Sequence, residues 1–257
     1  MTDTTGFDTY SIAHKLPHEN DHLFALQRMR TLETYYNWSY DLFKSHMGKR
    51  ILDAGAGVGN FTAIAKKKAE YVLAVDLSSA NIQVLRNRYK DSAVVEIAQV
   101  DLESQNEFFR DKRLDTVVCL DVLEHVEDDV SLLKSFLKIV QPGGHLLVKV
   151  PACRWLFGSI DLASGHYRRY TLRELRVKAA HSGWETISVA YMNISGVIPY
   201  WLKSCVFRKR TNFSQTFKPW QLRLVRAIVP ILKILDKIVG PPIGQSAILI
   251  ARKSAII

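Results

Sequence analysis

Residues 51–62, Ile-Leu-Asp-Ala-Gly-Ala-Gly-Val-Gly-Asn-Phe-Thr, constrain the fold of this 257-residue chain more than any other stretch. An apolar run ends in an acid, three glycines follow at every second position, and a helical pattern then begins. That order predicts a buried strand turning sharply into a helix, with Gly55, Gly57 and Gly59 leaving room for a ligand against bare backbone. Downstream the pattern alternates. Strands are expected at 51–54, 71–76, 93–98, 114–119 and 145–150, and helices at 60–70, 79–89, 103–110 and 129–140, with a turn at 141–144. This rhythm implies an α/β chain with a parallel sheet and helices on both faces. Residues 171–182 then read as a helix with Thr171 and Glu174 at capping-box spacing, and 184–193 as a strand. A last strand at 246–252 follows a long interruption, which suits an antiparallel partner at the end of a parallel sheet.

The expected organisation is a helical N-terminal cap over 1–48, a ligand-binding domain over 49–195 plus 245–257, and a helical insertion over 196–244. Residues that are 47% hydrophobic and 23% charged give an ordinary globular composition. The three cysteines, Cys119, Cys153 and Cys205, have no metal or redox spacing, so no metal is expected and a reducing, cytoplasmic setting is. The polar, acidic N-terminus is unlike a signal peptide, and no apolar run reaches the roughly 20 residues needed to span a bilayer. The net charge of +10 is localised. From Trp201 onward eleven Lys and Arg residues face a single acid, Asp236, so the first 200 residues are neutral overall.

In an open α/β sheet, ligands bind at the carboxyl ends of the strands. An acid stands at or just past four of them: Asp53, Asp76, Asp101 and Asp121. Asp76 follows the glycines at about 20 residues, the spacing at which a carboxylate reaches ribose hydroxyls. A nicotinamide dinucleotide carries a pyrophosphate and prefers a third glycine one residue later. S-adenosylmethionine is cationic at sulfur and at its ammonium group, and suits a rim of carboxylates.

Leu52-Asp53-Ala54-Gly55-Ala56-Gly57-Val58-Gly59 resembles the first motif of class I S-adenosylmethionine-dependent methyltransferases. Val75-Asp76-Leu77-Ser78, Val100-Asp101-Leu102, Leu120-Asp121-Val122-Leu123-Glu124-His125-Val126 and Gln141-Pro142-Gly143-Gly144 are similar to its later motifs, in order. The resemblance covers about 49–195 and the final strand. It implies a three-layer Rossmann-like fold with a seven-stranded, mostly parallel sheet whose last strand is antiparallel. It also implies that backbone around Gly55 and Gly57 lies against the methionine part, that Asp76 holds the ribose hydroxyls, and that Asp101, with Leu102, holds the adenine; Asp53, Ala56, Asn60 and Leu77 join the expected donor-binding set, with Asp53 alternatively holding the glycine loop. Leu120 and Asp121 would lie near the sulfonium.

Methyl transfer needs alignment, and a base where the nucleophile is a hydroxyl. His125 follows the fourth strand, and Gly165-His166-Tyr167-Arg168-Arg169-Tyr170 follows the fifth, on the same rim. The candidates are therefore His125 and His166 as base, with Arg168, Arg169 and Tyr170 as acceptor contacts; the plainer alternative is a basic loop with its tyrosines packed on the next helix. No Asn-Pro-Pro-Tyr-like segment stands after the fourth strand, which argues against a nucleic-acid base as acceptor. In the insertion, Arg223, Arg226, Lys233 and Lys237 fall at offsets of 3, 7 and 4 along a broadly apolar helix, with Pro230 expected to kink or divide it. Two readings stay open: a lid over the acceptor pocket, or an interfacial surface across 197–239, with Arg208-Lys209-Arg210 adding cations for anionic lipid. The expected function is methylation of a small, hydrophobic or lipid-linked acceptor, foremost at oxygen. The alternatives are nitrogen or carbon methylation, a non-catalytic ligand- or partner-binding protein, and a nicotinamide-dependent oxidoreductase.

Overall fold

The computed structural model describes residues 19–104, 106–208 and 219–255. Seven strands form one sheet: β1 Arg50–Ala54, β2 Tyr71–Asp76, β3 Val95–Gln99, β4 Leu114–Leu120, β5 Val140–Pro151, β6 Glu185–Met192 and β7 Ser246–Arg252. Their order is β3-β2-β1-β4-β5-β7-β6. β7 runs antiparallel to both its neighbours, and the remaining pairs are parallel. The reversal of order lies between β1 and β4, so a crevice opens beyond their carboxyl ends.

The central strands are largely apolar because both faces are covered. Successive side chains alternate between two layers. Leu52, Leu73, Val75, Val117 and Cys119 pack with Leu132, Leu133 and Phe136 of α5 (Asp129–Ile139) and Leu175 and Ala179 of α7 (Leu172–His181). Ile51, Val72, Ala74, Val118 and Leu147 face the other way, onto Ile82, Leu85 and Tyr89 of α4 (Ser79–Tyr89) and Trp38 and Phe43 of α2 (Glu33–Phe43). Before α2 stands α1, Glu19–Met29; the earlier part of the expected cap lies outside the described residues.

The capping box at Thr171 forms as expected: its hydroxyl accepts from the Glu174 amide at 3.2 Å and the Glu174 carboxylate accepts from the Thr171 amide at 2.9 Å. Three expectations need correction. The helix expected over 60–70 is one short turn, α3 (Thr62–Ala65), because the Glu70 and Tyr71 amides both bond to the Lys49 carbonyl and pull the chain straight into β2. The short helix expected at 103–110 is a tight 3₁₀ run over Asn106–Lys112. The turn expected at 141–144 is absorbed into β5, with Gly143 at φ +78° and a register shift against β4.

After β6 the insertion leaves the sheet. α8 (Val197–Trp201) runs into a π-helical turn, Leu202–Val206, and α9 (Pro219–Val239) returns to β7 as one helix that contains Pro230 rather than dividing there. Entrance and exit meet at a neck. Met192 pairs with Ser246, the Gln245 amide donates to the Asn193 carbonyl at 3.1 Å, and the Asn193 side-chain amide donates to Gln245 Oε1 at 2.8 Å. Asp236 of α9 accepts from the Asn193 and Ile194 amides, pinning the helix there. Lys209 and Arg210 lie outside the described residues.

Candidate functional site

The glycine loop emerges from β1 at the switch point. Gly55, Gly57 and Gly59 take φ of +70°, +56° and +78°. At Gly59 the reason is also steric, since a Cβ would lie 2.7 Å from both Leu85 Cδ2 and Tyr89 Cε2 of α4. Asp76, at the end of β2, accepts from the Gly57 amide at 2.7 Å, the Ser78 amide at 2.9 Å and the Asn81 side-chain amide at 3.1 Å. Burial pushes its carboxyl up, and the backbone and Asn81 donors pull against that. Asp53 is buried under the loop and takes the Thr62 hydroxyl at 2.5 Å. Burial raises it to about 6 despite that bond.

Two residues that sequence reasoning did not single out complete the loop. Arg88 Nη1 donates to the carbonyls of Val58 (2.7 Å) and Gly59 (2.8 Å), and the Tyr89 hydroxyl donates to Gly59 at 2.7 Å. Asn60, expected at the ligand, instead gives its amide to the Leu26 carbonyl (3.0 Å) and the Tyr36 hydroxyl (3.2 Å), tying the N-terminal helices to the loop. The Ala56 amide bonds back to Val75 of β2, and the Leu77 carbonyl accepts from Gln99. Asp101 accepts from the Glu103 amide at 3.0 Å, and Leu102 and Leu120 are partly buried against the two core layers. A loop of left-handed glycines over the buried carboxylates of Asp53 and Asp76, with Asp101 and Asp121 more exposed at neighbouring strand ends, fits a ligand with sugar hydroxyls and positive charge.

Beyond β4, Asp121 adopts φ +56° and forms an ion pair with Lys149 of β5. Lys149 is only 3% exposed, and its ammonium lies 5.1 Å from the Tyr35 ring centroid. Burial alone would lower its pKa; the Asp121 carboxylate outweighs that and raises it. A lone lysine inside the apolar run Leu146-Leu147-Val148-Lys149-Val150 was the available signal. Three residues after Asp121, Glu124 is fully buried with both carboxylate oxygens lacking a hydrogen-bond partner. Burial, then the charge of Asp121, drive its pKa well up.

The two candidate histidines converge. The His125 and His166 rings meet edge to face at 4.7 Å, and together with Glu124 each brings a potential ligating atom within 4.8 Å of the others. This grouping of acid and imidazoles is invisible in the sequence spacing on which the expectation of no metal rested. His166 Nδ1 lies 2.9 Å from Asp161.

In the rest of the 165–170 segment Arg169 and Tyr170 are buried beneath the site, Arg168 is partly exposed and Tyr167 is exposed. Tyr170 is 1% exposed, and its hydroxyl donates to Asp129 (2.8 Å) and the Leu123 carbonyl (3.0 Å). Arg168 pairs with the same Asp129 at 3.2 Å and donates to the Glu127 carbonyl. Arg169 is buried, bonded to Asp161 and the Ala152 carbonyl, each at 2.9 Å. All three were expected at the acceptor; each instead supports the loops that carry Glu124, His125 and His166.

Residues 52–148 match the family described as "Methyltransferase domain". The chain is 33% identical over 109 residues to the ubiquinone biosynthesis O-methyltransferase of Alkalilimnicola ehrlichii, covering 39% of this chain and 40% of that protein. It is 30% identical over 114 residues to the enzyme of the same name from Acinetobacter baylyi, covering 43% and 47%. The matched segment thus spans less than half the length of those relatives. Among solved structures, a SAM-dependent methyltransferase from Archaeoglobus fulgidus superposes with a TM-score of 0.57 at 17% identity, covering 86% of this chain and 94% of that one. The [4+2]-cyclase SpnF superposes with a TM-score of 0.58 at 17% identity, covering 86% and 80%, so the architecture is shared with different chemistry. Residues 52–148 therefore form a methyltransferase domain, and the seven-stranded order β3-β2-β1-β4-β5-β7-β6 with its glycine loop is the Rossmann-like fold shared with the S-adenosylmethionine-dependent methyltransferases.

Proposed function

We propose that the chain transfers a methyl group from S-adenosylmethionine to a hydroxyl of a small hydrophobic or lipid-linked acceptor. The observation that carries this reading is the His125–His166 pair, set beside Glu124 and Asp121 on the loops that follow β4 and β5. Asp76 would hold the ribose hydroxyls, Asp101 the adenine, and the loop around Gly55 and Gly57 the methionine part. When bound, S-adenosylmethionine supplies a methyl group on a sulfonium, which leaves as a neutral thioether once the new bond to carbon forms. The protein's own share is to fix the acceptor oxygen and to take its proton at an imidazole nitrogen. The O-methyltransferase names of the relatives support oxygen as the nucleophile. Incubation with methyl-tritiated donor and an organic-extractable cell fraction is expected to yield an alkali-stable labelled ether. Label confined to base-labile or water-soluble amine products overturns oxygen transfer to such an acceptor.

The insertion supports a membrane-facing role. Val225, Val229 and Leu232 of α9 pack onto the core layer that holds α2. The opposite face leaves Leu224, Ile231, Ile234 and Ile238 exposed, Ile238 at 75% against 2% for Val229. Ile198, Trp201, Leu202 and Phe207 add exposed apolar surface. Arg223, Arg226 and Lys237 are exposed, whereas Lys233 pairs with Asp41 of α2 and belongs to the packed side. A lid alone would leave that outer apolar face unexplained. No helix among the described residues is long and apolar enough to cross a membrane, so the contact would be peripheral. Each basic residue near an anionic surface contributes about 1 kcal/mol. Replacing Arg223, Arg226 and Lys237 by Gln is therefore expected to weaken co-sedimentation with phosphatidylserine vesicles by roughly 100-fold. Full recovery of the native protein in the supernatant at low salt overturns the membrane reading.

A further inference from the structure

Asp161 lies in the short helix α6 (Ser159–Ala163), fully buried, and no motif or spacing singled it out. Four donors converge on its carboxylate, each at 2.9 Å. His166 Nδ1 and Arg169 Nε reach Oδ1, and the Gly158 amide and the Tyr200 hydroxyl reach Oδ2. The usual acceptor sites of a carboxylate are thus filled. Burial would raise its pKa, but the hydrogen bond from His166 and the charge of Arg169 hold it below the ordinary value.

An ionised carboxylate can only accept. The proton between it and His166 must therefore sit on Nδ1, which leaves Nε2 of the neutral ring with its lone pair. Arg169 is held in turn, its guanidinium 4.2 Å from the Tyr200 ring centroid.

Tyr200 does not belong to the sheet domain. It comes from α8 in the insertion, whose following turn is dovetailed against α6. Ser204 Oγ accepts from the Ile160 amide at 3.2 Å, and the Ser159 hydroxyl donates to the Ser204 carbonyl at 3.0 Å. A Cβ on Gly158 would lie 2.5 Å from Ser204 Oγ, so the close approach needs glycine there.

We propose that Asp161 and Tyr200 are positioning residues that fix His166 in the Nδ1–H tautomer, so that Nε2 takes the proton of the acceptor hydroxyl. In that step the O–H bond breaks, the Nε2–H bond forms, and Asp161 stabilises the resulting imidazolium. The catalytic step rests on the function proposed above; the tautomer does not, and it is measurable without an acceptor.

The test is long-range ¹H–¹⁵N correlation on protein labelled at histidine nitrogens, with His166→Gln identifying the signal. At alkaline pH the native protein is expected to show a protonated-type Nδ1 and a lone-pair-type Nε2. Asp161→Asn presents an amide that can donate to Nδ1, and should convert a large fraction of His166 to the Nε2–H form. Tyr200→Phe keeps the packing, removes one bond to the carboxylate and should shift the populations less. In the labelled-methyl assay, Asp161→Asn is expected to lower kcat by about 100-fold and Tyr200→Phe by about 5-fold, with donor affinity unchanged. An Nε2–H tautomer in the native protein overturns the proposal, as does a tautomer indifferent to both substitutions. Absence of methyl transfer by a native protein showing the expected tautomer overturns the proposed function instead.

Discussion

Asp76→Ala is expected to weaken S-adenosylmethionine binding by about 100-fold or more in titration calorimetry. The carboxylate has two jobs at once. It accepts from the Gly57 and Ser78 amides and so shapes the glycine loop, and its remaining acceptor capacity is what the ribose hydroxyls would use. Hydrogen bonds to a charged group are worth about 1.5–3 kcal/mol each, so losing two costs roughly 3–6 kcal/mol. Affinity for S-adenosylhomocysteine should fall in parallel, because the ribose is common to both. An unchanged Kd for either ligand would move the ribose away from β2 and refute the assignment of Asp76.

The second large effect concerns stability. Arg169→Met should destabilise the protein by about 3–5 kcal/mol, since removing one partner of a buried ion pair strands the other. For a chain of this size that is a fall in Tm on the order of 10 °C. The loss arises because the guanidinium neutralises Asp161, donates to the Ala152 carbonyl and stacks on Tyr200. Urea unfolding should show a lower midpoint with an unchanged slope, the sign of altered stability without an altered denatured state. Were Arg169 instead an acceptor contact with no scaffold role, the change would stay within about 0.5 kcal/mol, as for ordinary surface substitutions.

The parts of this protein that repeat locally were legible in its residues. The strand–glycine–helix transition at 51–62, the acids at strand ends and the capping box at Thr171 are each set by neighbours a few positions away. Alternation of apolar runs with amphipathic ones was enough to predict a parallel sheet. What stayed hidden depends on contacts between distant segments. The roles of Arg168, Arg169 and Tyr170 turn on Asp129 and Asp161, which no spacing rule joins to them. The helix expected at 60–70 had adequate propensity, but the pairing of Glu70 and Tyr71 with Lys49 overrode it. Lys149 was readable in principle, because a charge amid a buried strand demands a partner, yet the partner could be identified only in three dimensions.

The neck at Asn193 and Gln245 gives the insertion the topology of one very long hairpin loop between two adjacent antiparallel strands. Such a loop can be exchanged for another, or shortened to a tight turn, without altering the order of a single strand. The proposed donor half of the site, on β1 and β2, would be untouched by the exchange. Tyr200 would leave with the loop, however, and with it one of the four bonds that hold Asp161. If His166 is the base proposed above, a lineage that swaps this loop to reach a new acceptor would also reset the group that removes the acceptor's proton. Diversification of substrate and retuning of acid–base chemistry would then be inherited as one unit.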